Sequence, residues 1–352
     1  MKKLIVLLVV LCMVVSVAAC AKKGPEVVAD PPAVTGDDTP EVVADPPAGL
    51  IKVGIVNLEP SESGYREANV KDMAEVFTAA NGYEALNSNV PTLDAQINAA
   101  KQFITDGVKY LLISAADATG WDSVLADAKE AGVKVFLFDR MIDCDPSLYE
   151  AAVVSDMANQ GITAVAWMKA QNLEAYNVIH IQGQISSAAS IGRTAALQAE
   201  FDAGTMNLVS RGTGGDSWSG DEAKKIVEAV IAAGTPFNVI YAENDGMAEG
   251  AMKALQENGI SHGVGGDVII MGFDCNRFAL RYVMAGDWNY DGQCSPFQAA
   301  VIDGLIKALE AGEAISVPAD KKIISEEQGF DAAGVGAIKV TDEVIAKYGL
   351  GD

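Results

Sequence analysis

From residue 51 onward, short uninterrupted apolar runs alternate with longer stretches in which apolar residues recur every three or four positions. The first pattern belongs to buried strands and the second to amphipathic helices. Strands are predicted at 52–57, 83–87, 110–114, 133–139 and 151–155, and a second series at 177–182, 207–211, 238–242 and 268–274. Helices are predicted between them, such as 68–80, 93–105, 121–131, 158–171, 221–233 and 246–258. Gly132 and Gly259 directly follow two of these helices, where a left-handed residue commonly ends the spiral. Strands apolar throughout and alternating with helices pack as parallel sheets covered on both faces. About 300 residues exceed one such core, so two similar α/β domains are the economical arrangement.

The first 50 residues break this pattern. Lys2 and Lys3 lead into an apolar run at 4–17, and Val17-Ala18-Ala19-Cys20 closes it with small residues. A basic start, an apolar run too short to span comfortably and a small-residue cleavage site read as an export signal. The final cysteine makes the signal resemble a bacterial lipoprotein lipobox, with valine where leucine is usual three residues earlier. Cys20 would then be the acylated mature N-terminus, anchoring the chain at the extracytoplasmic face of the cell membrane without spanning it. An ordinary secretory signal or an uncleaved anchor helix are the alternatives. The segment 25–33, PEVVADPPA, recurs at 40–48. Paired prolines stiffen such a chain and acidic residues keep it solvated, so 21–50 reads as a tether between lipid and domain. A recognition motif for a cell-wall or transporter partner is the other reading.

Charge narrows the function. The net charge of −23 reverses the sign of the attraction on which nucleic-acid binding depends, so no nucleic-acid partner is expected. No later run is long and apolar enough for a transmembrane helix. Once Cys12 and Cys20 are assigned to the signal, the five cysteines fall to Cys144, Cys275 and Cys294, too few for a disulfide scaffold. With only His180 and His262 present, a histidine zinc site or catalytic triad has little to work with. The glycine-rich stretches 212–215 and 263–266 lack the lysine and hydroxyl of a phosphate loop. No acidic loop has calcium-loop spacing, and no carboxylate pair stands out as a glycosidase centre. Neither a metal nor a cofactor is expected.

Ligands of open α/β sheets sit beyond the carboxyl ends of the strands. There the chain places Asp139-Arg140, Glu243-Asn244-Asp245, Asp274 and Gln293, and the loop after Gln182 reaches Arg193. Carboxylates accept hydroxyl protons while Arg and Asn donate to hydroxyl oxygens, a mixture suited to a polyol with vicinal OH groups. Tyr65, Trp121 and Trp218, read as loop residues, offer rings for the C–H face of a sugar. Asp221 and Asp245 are read as helix-capping residues.

At these residues the chain resembles the type I periplasmic sugar-binding proteins, the ribose and galactose group that feeds ABC transporters. Ser61-Glu62-Ser63-Gly64-Tyr65-Arg66, Ala118-Thr119-Gly120-Trp121 and the stretch 136–143 followed by Ser147-Leu148-Tyr149 look most like the galactofuranose-binding branch. The resemblance covers roughly residues 51–350. It implies an α/β fold of two doubly wound parallel-sheet domains closing on a multi-strand hinge, with crossings near 155–157, 287–292 and 323–327. One domain would then comprise 51–155 plus about 291–322, the other 156–290 plus about 323–352. Carried over, the ligand residues are Tyr65, Arg66, Asp139, Arg140, Arg193, Asn244, Asp274 and Gln293, with Glu62, Thr119 and Trp218 in second rank. Tyr65 stands where that branch is expected to have tryptophan, and Gln293 is ribose-like where the branch has glutamate. Cys275 and Cys294 each follow a ligand position and form a candidate disulfide, against two separately buried thiols. The resemblance implies a monomeric, non-enzymatic receptor that passes a monosaccharide, such as galactofuranose or galactose, to an ABC permease. A chemotaxis or quorum-sensing receptor and a secreted carbohydrate-active enzyme are the rival readings.

Overall fold

A computed structural model describes residues 49–351. The expected signal with Cys20 and the repeat up to residue 48 lie outside the described residues. The first half of the chain runs β1 (Ile51–Asn57), α1 (Gly64–Val76), β2 (Tyr83–Asn89), α2 (Leu93–Thr105), β3 (Tyr110–Ile113), α3 (Asp122–Glu130), β4 (Lys134–Asp139) and β5 (Ala151–Val154). The second half runs α4 (Met157–Ala170), β6 (Asn177–Gln182), α5 (Ala188–Asp202), β7 (Asn207–Thr213), α6 (Gly220–Ala232), β8 (Val239–Ala242), α7 (Asp245–Glu257), β9 (Ile269–Asp274), α8 (Arg277–Ala285) and β10 (Tyr290–Gln293). The remainder is α9 (Ala299–Glu310), β11 (Lys322–Ile324), β12 (Gly329–Asp331), β13 (Ile338–Lys339) and α10 (Asp342–Tyr348).

These strands form a six-stranded sheet, β11-β5-β4-β3-β1-β2, and a seven-stranded sheet, β13-β12-β10-β9-β8-β6-β7. Every pairing is parallel except β10 with β12. The strand order reverses between β1 and β3 in the first sheet and between β6 and β8 in the second. Helices diverge to opposite faces at such a point and leave a crevice at the strand ends.

Both faces are apolar, as fully covered parallel sheets require. Along β4, Val135 and Leu137 pack with Trp121 and Val124 on one face, while Phe136 and Phe138 pack with Ile302 and Ile306 of α9 on the other. That alternation is the two-residue period of a strand. It also returns α9 to the first sheet although the preceding strand, β10, belongs to the second.

Chain crossings between the sheets fall at 155–156, 294–298 and 325–328, between the elements that bound them. The second differs from the expected 287–292, because β10 continues to Gln293 in register with Asp274 of β9. The third follows β11, whose residues 322–324 pair with β5 rather than starting the second lobe.

Helix α1 starts at Gly64 instead of 68, because the Ser63 side chain accepts from the Arg66 N–H and caps it. Tyr65 and Arg66 therefore stand on a first helical turn, not on a loop. Arg193 is likewise on α5, six residues past its cap, Ser187. Trp121 is a core residue of the first sheet, its Nε1 donating to the Asp117 carbonyl at 3.0 Å. Among the described residues, no helix is long and apolar enough to cross a membrane, and no group of His, Cys, Asp and Glu is arranged to hold a metal ion.

Candidate functional site

The strand ends of the two sheets face one another across a narrow cleft. Glu62, Tyr65, Asp139 and Arg140 line it from the first lobe, and Arg193, Trp218, Asn244 and Asp274 from the second.

Local backbone geometry aims several of these side chains. Asp139, Trp218 and Asp274 have φ of 62°, 51° and 116°, conformations that L-residues with a Cβ rarely adopt. Such conformations cluster where a site over-determines the backbone. Trp218 can lie flat on the chain only because residue 183 is glycine: a Cβ there would come within 2.1 Å of the indole ring. Helices α4 and α5 also approach through glycines. A Cβ on Gly161 would stand 2.9 Å from the Arg193 carbonyl, and one on Gly192 would stand 2.5 Å from the Met157 Cβ.

In the first lobe, Arg66 is fully buried behind the cleft. It bonds Asp139 Oδ2 at 2.5 Å, Glu62 Oε2 at 3.0 Å and the side-chain oxygens of Asn57, Asn69 and Ser114. Each of its nitrogens bonds protein, so Arg66 positions the cleft-lining carboxylates and does not itself reach the cavity. Tyr65 donates to Asp139 Oδ1 at 2.7 Å, and Arg140 Nη2 donates to Glu62 Oε1 at 3.0 Å. Burial alone would raise the Asp139 carboxyl, but the charges of Arg66 and Arg140 overcome it and hold the group below the usual carboxylate range.

In the second lobe, Arg193 donates from Nη2 to Asp274 Oδ1 at 3.1 Å, from Nε to Gln160 Oε1 at 2.8 Å, and from Nη1 to the Glu243 carbonyl. Burial pushes Asp274 up to about 6, more than Arg193 pulls it down. Beneath the cleft, burial and then the Asp274 charge push Asp291 up to about 8, and burial followed by Asp291 and Asp274 raises Asp245 well above its ordinary value. Asp291 and Asp245 Oδ1 make no well-formed hydrogen bond, although Asp245 and the Cys275 N–H lie close enough to Asp291 to offset part of its rise. Asp245 does not cap α7 as the sequence suggested: the cap is Asn244, whose Oδ1 accepts from the Met247 N–H at 2.8 Å, while Asp245 Oδ2 accepts from the backbone and side-chain nitrogens of Asn276.

The cleft lining is balanced in charge: Glu62, Asp139 and Asp274 are each in contact with Arg66, Arg140 or Arg193. Two buried donors remain. Arg140 Nη1 and Trp218 Nε1 have no protein partner, and the two side chains meet at the cavity, with the Arg140 guanidinium 5.8 Å from the indole centre.

Three expected ligand residues stand elsewhere. Arg66 is one layer behind, as described. Gln293 is outside the cavity, since its Oε1 accepts from the Gln328 N–H at 3.1 Å and its backbone N–H donates to the Gln328 carbonyl. Thr119 lines a separate groove with Met141 and Asp156. Cys275 and Cys294 are not joined: both are buried free thiols, and Cys294 Sγ faces Ser155 Oγ at 3.6 Å. Among the residues not anticipated, Cys294, Met157 and Ala189 line the cavity, and Gln160 supports Arg193. Gln160 sits on α4 with no pattern to single it out, and Ser63 was legible in the sequence only as part of the 61–66 motif.

The model of the periplasmic binding protein domain family matches residues 53–314. The galactofuranose-binding protein YtfQ of Escherichia coli is 31% identical over 265 residues, covering 72% of this chain and 80% of that protein. The fructose import binding protein FruE of Bifidobacterium longum is 28% identical over 343 residues, covering 94% of this chain and 95% of its own. Among solved structures, a galactofuranose-binding protein superposes with a TM-score of 0.73 at 26% identity, covering 85% of this chain and 98% of that one.

Proposed function

This chain belongs to the periplasmic binding protein family, and we propose that it captures a neutral monosaccharide between its two lobes and presents it to an ABC permease. The observation that carries the reading is the pair of buried, unpartnered donors, Arg140 Nη1 and Trp218 Nε1, set among charge-balanced carboxylates. Each such donor costs about 1–3 kcal/mol when left without an acceptor, and a sugar oxygen offers one. A charged ligand would leave uncompensated charge in a dry site, whereas a polyol takes donors and acceptors without adding any. The Trp218 face supplies the apolar contact that a sugar's C–H groups need. A furanose or pyranose of galactose, or a related hexose or pentose, fits this chemistry, and the relatives that bind galactofuranose and fructose support it.

In this reading no bond is made or broken. The lobes, 51–155 with the segment around α9 and 156–293 with the C-terminal segment, close on the three crossings, and the protein works as a monomer. Export by the N-terminal signal and acylation at Cys20 keep it at the outer face of the membrane, with the acidic repeat as spacer.

Calorimetric titration of the full-length protein with D-galactose, methyl β-D-galactofuranoside, D-fructose and D-ribose tests the proposal. Stoichiometric binding of at least one supports it. Binding of none, alongside a co-purifying molecule of another class, rules the sugar assignment out.

A further inference from the structure

The three crossings meet at one carboxylate. Glu327, in the third, accepts through Oε1 from Ser155 Oγ of the first crossing at 2.5 Å and from the Ser295 N–H of the second at 2.8 Å. Its other oxygen accepts from Gln160 Nε2 at 2.6 Å, and Gln160 Oε1 accepts from Arg193 Nε at 2.8 Å. Arg193 in turn faces the cleft and holds Asp274.

Donor and acceptor chemistry fixes the direction of this relay. A carboxylate only accepts and a guanidinium only donates, whereas a side-chain amide does one at each end. Glu327 therefore forces the Gln160 amide to turn its NH₂ toward the hinge and its oxygen toward Arg193. The close approach of α4 and α5 at Gly161 and Gly192 brings Gln160 and Arg193 within reach. We propose that Glu327 is a positioning residue for ligand capture: it sets the polarity of Gln160 and so the placement of Arg193, tying the hinge to the cleft without touching the ligand. The inference deepens the reading of the cleft as a monosaccharide site and rests on it only for the affinity readout.

The proposal makes a polarity-specific prediction. In Glu327→Gln, the new NH₂ replaces one accepting oxygen and opposes the NH₂ of Gln160. Turning Gln160 over instead sets its NH₂ against Arg193 Nε–H, and turning residue 327 over sets its NH₂ against the Ser295 N–H. One donor is frustrated in every arrangement. Adding Gln160→Glu restores all of them: residue 327 keeps its oxygen toward Ser155 and Ser295 and donates to the new carboxylate, which still accepts from Arg193.

The test uses the full-length parent, Glu327→Gln and the double variant Glu327→Gln/Gln160→Glu, with two readouts. Titration with D-galactose should show about tenfold weaker binding for the single variant and near-parental binding for the double, the loss being that of one hydrogen bond to a charged group. In sugar-free protein, the ¹H–¹⁵N signal of Arg193 Nε–H, assigned by its absence in Arg193→Lys, should exchange slowly in the parent and double variant and rapidly in the single. A double variant no better than the single in either readout, or a single variant unchanged in both, overturns the relay. If the parent binds no D-galactose, the Nε–H signals alone decide it, and failure of the sugar reading is separated from failure of the relay.

Discussion

Arg140, just past a strand of the first sheet, holds its guanidinium 5.8 Å from the ring centre of Trp218, which belongs to the second lobe. Each residue keeps one buried N–H without a protein partner, so the contact closes the cleft and arms it at once. Arg193 approaches the same ring at 6.0 Å, so the indole is met by one cation from each lobe.

Replacing the ring tests which part of it matters. Trp218→Phe keeps an aromatic face but removes Nε1–H, and sugar affinity should fall about tenfold, the cost of one buried hydrogen bond. Trp218→Ala removes both and should cost about a hundredfold. Calorimetry of both variants checks the order, and equal affinities for parent and Phe variant would show that Nε1 donates to nothing in the ligand.

Acidification should act oppositely on binding and stability. Asp274 is raised by burial to about 6 from 3.8, so the folded protein takes up its proton more readily than the unfolded chain. The stability cost of holding Asp274 ionised is thus present at pH 7 and relieved as pH falls through about 6. Sugar affinity should fall over the same interval, because a protonated Asp274 loses its charge-assisted bond to Arg193 and one acceptor for a hydroxyl. Titrations at pH 7.5 and 5.0, paired with urea unfolding at each, read both signs.

Asp291 predicts a stabilising substitution. Its carboxyl is fully buried and raised to about 8, so at neutral pH folding must take up a proton or bury a charge. Asp291→Asn removes that requirement and should raise stability at pH 7 by at least about 1 kcal/mol. It should also flatten the decline in stability between about pH 4 and pH 8 that this raised pKa causes. A less stable variant would mean that the ionised carboxylate has a role in the fold.

Gly192→Ala should impair fold and site together. The added Cβ would come within 2.5 Å of the Met157 Cβ and 2.7 Å of its carbonyl carbon, where backbone has to move. Overpacking of this kind costs about 1–3 kcal/mol. Because the contact joins α4 to α5 beside Arg193, sugar affinity should fall as well. Unfolding and binding measured on one preparation would reveal a purely structural effect if affinity held.

Much of the fold was legible because parallel strands buried on both faces leave uninterrupted apolar runs: β6 and α2 have the bounds that the pattern predicts. Less so α1, where a serine cap five residues upstream of the predicted start carried Tyr65 and Arg66 from loop to helix. In the cleft, Asp139, Arg140, Asn244 and Asp274 were readable because a strand end is a defined place in this class of fold. Arg193 was recognised but misplaced on a loop, and Arg66, Gln293 and Thr119 show what residue type cannot reveal. An arginine saturated by five protein side chains and one with a free donor look alike in sequence. Trp121 was the same problem among aromatics: ring and polar tip suit a sugar, yet it fills the first core. Gln160 and Glu327 lie 167 positions apart and become neighbours only when the crossings meet.

The most direct test of a sugar held between the lobes is native mass spectrometry of the full-length protein beside Arg140→Ala and Asp274→Ala, each equilibrated with the sugar that binds in calorimetry. The account predicts one monosaccharide per parent chain and its loss from both variants, whose side chains face the cavity from opposite lobes. Undiminished occupancy in both variants would place the ligand elsewhere and contradict it.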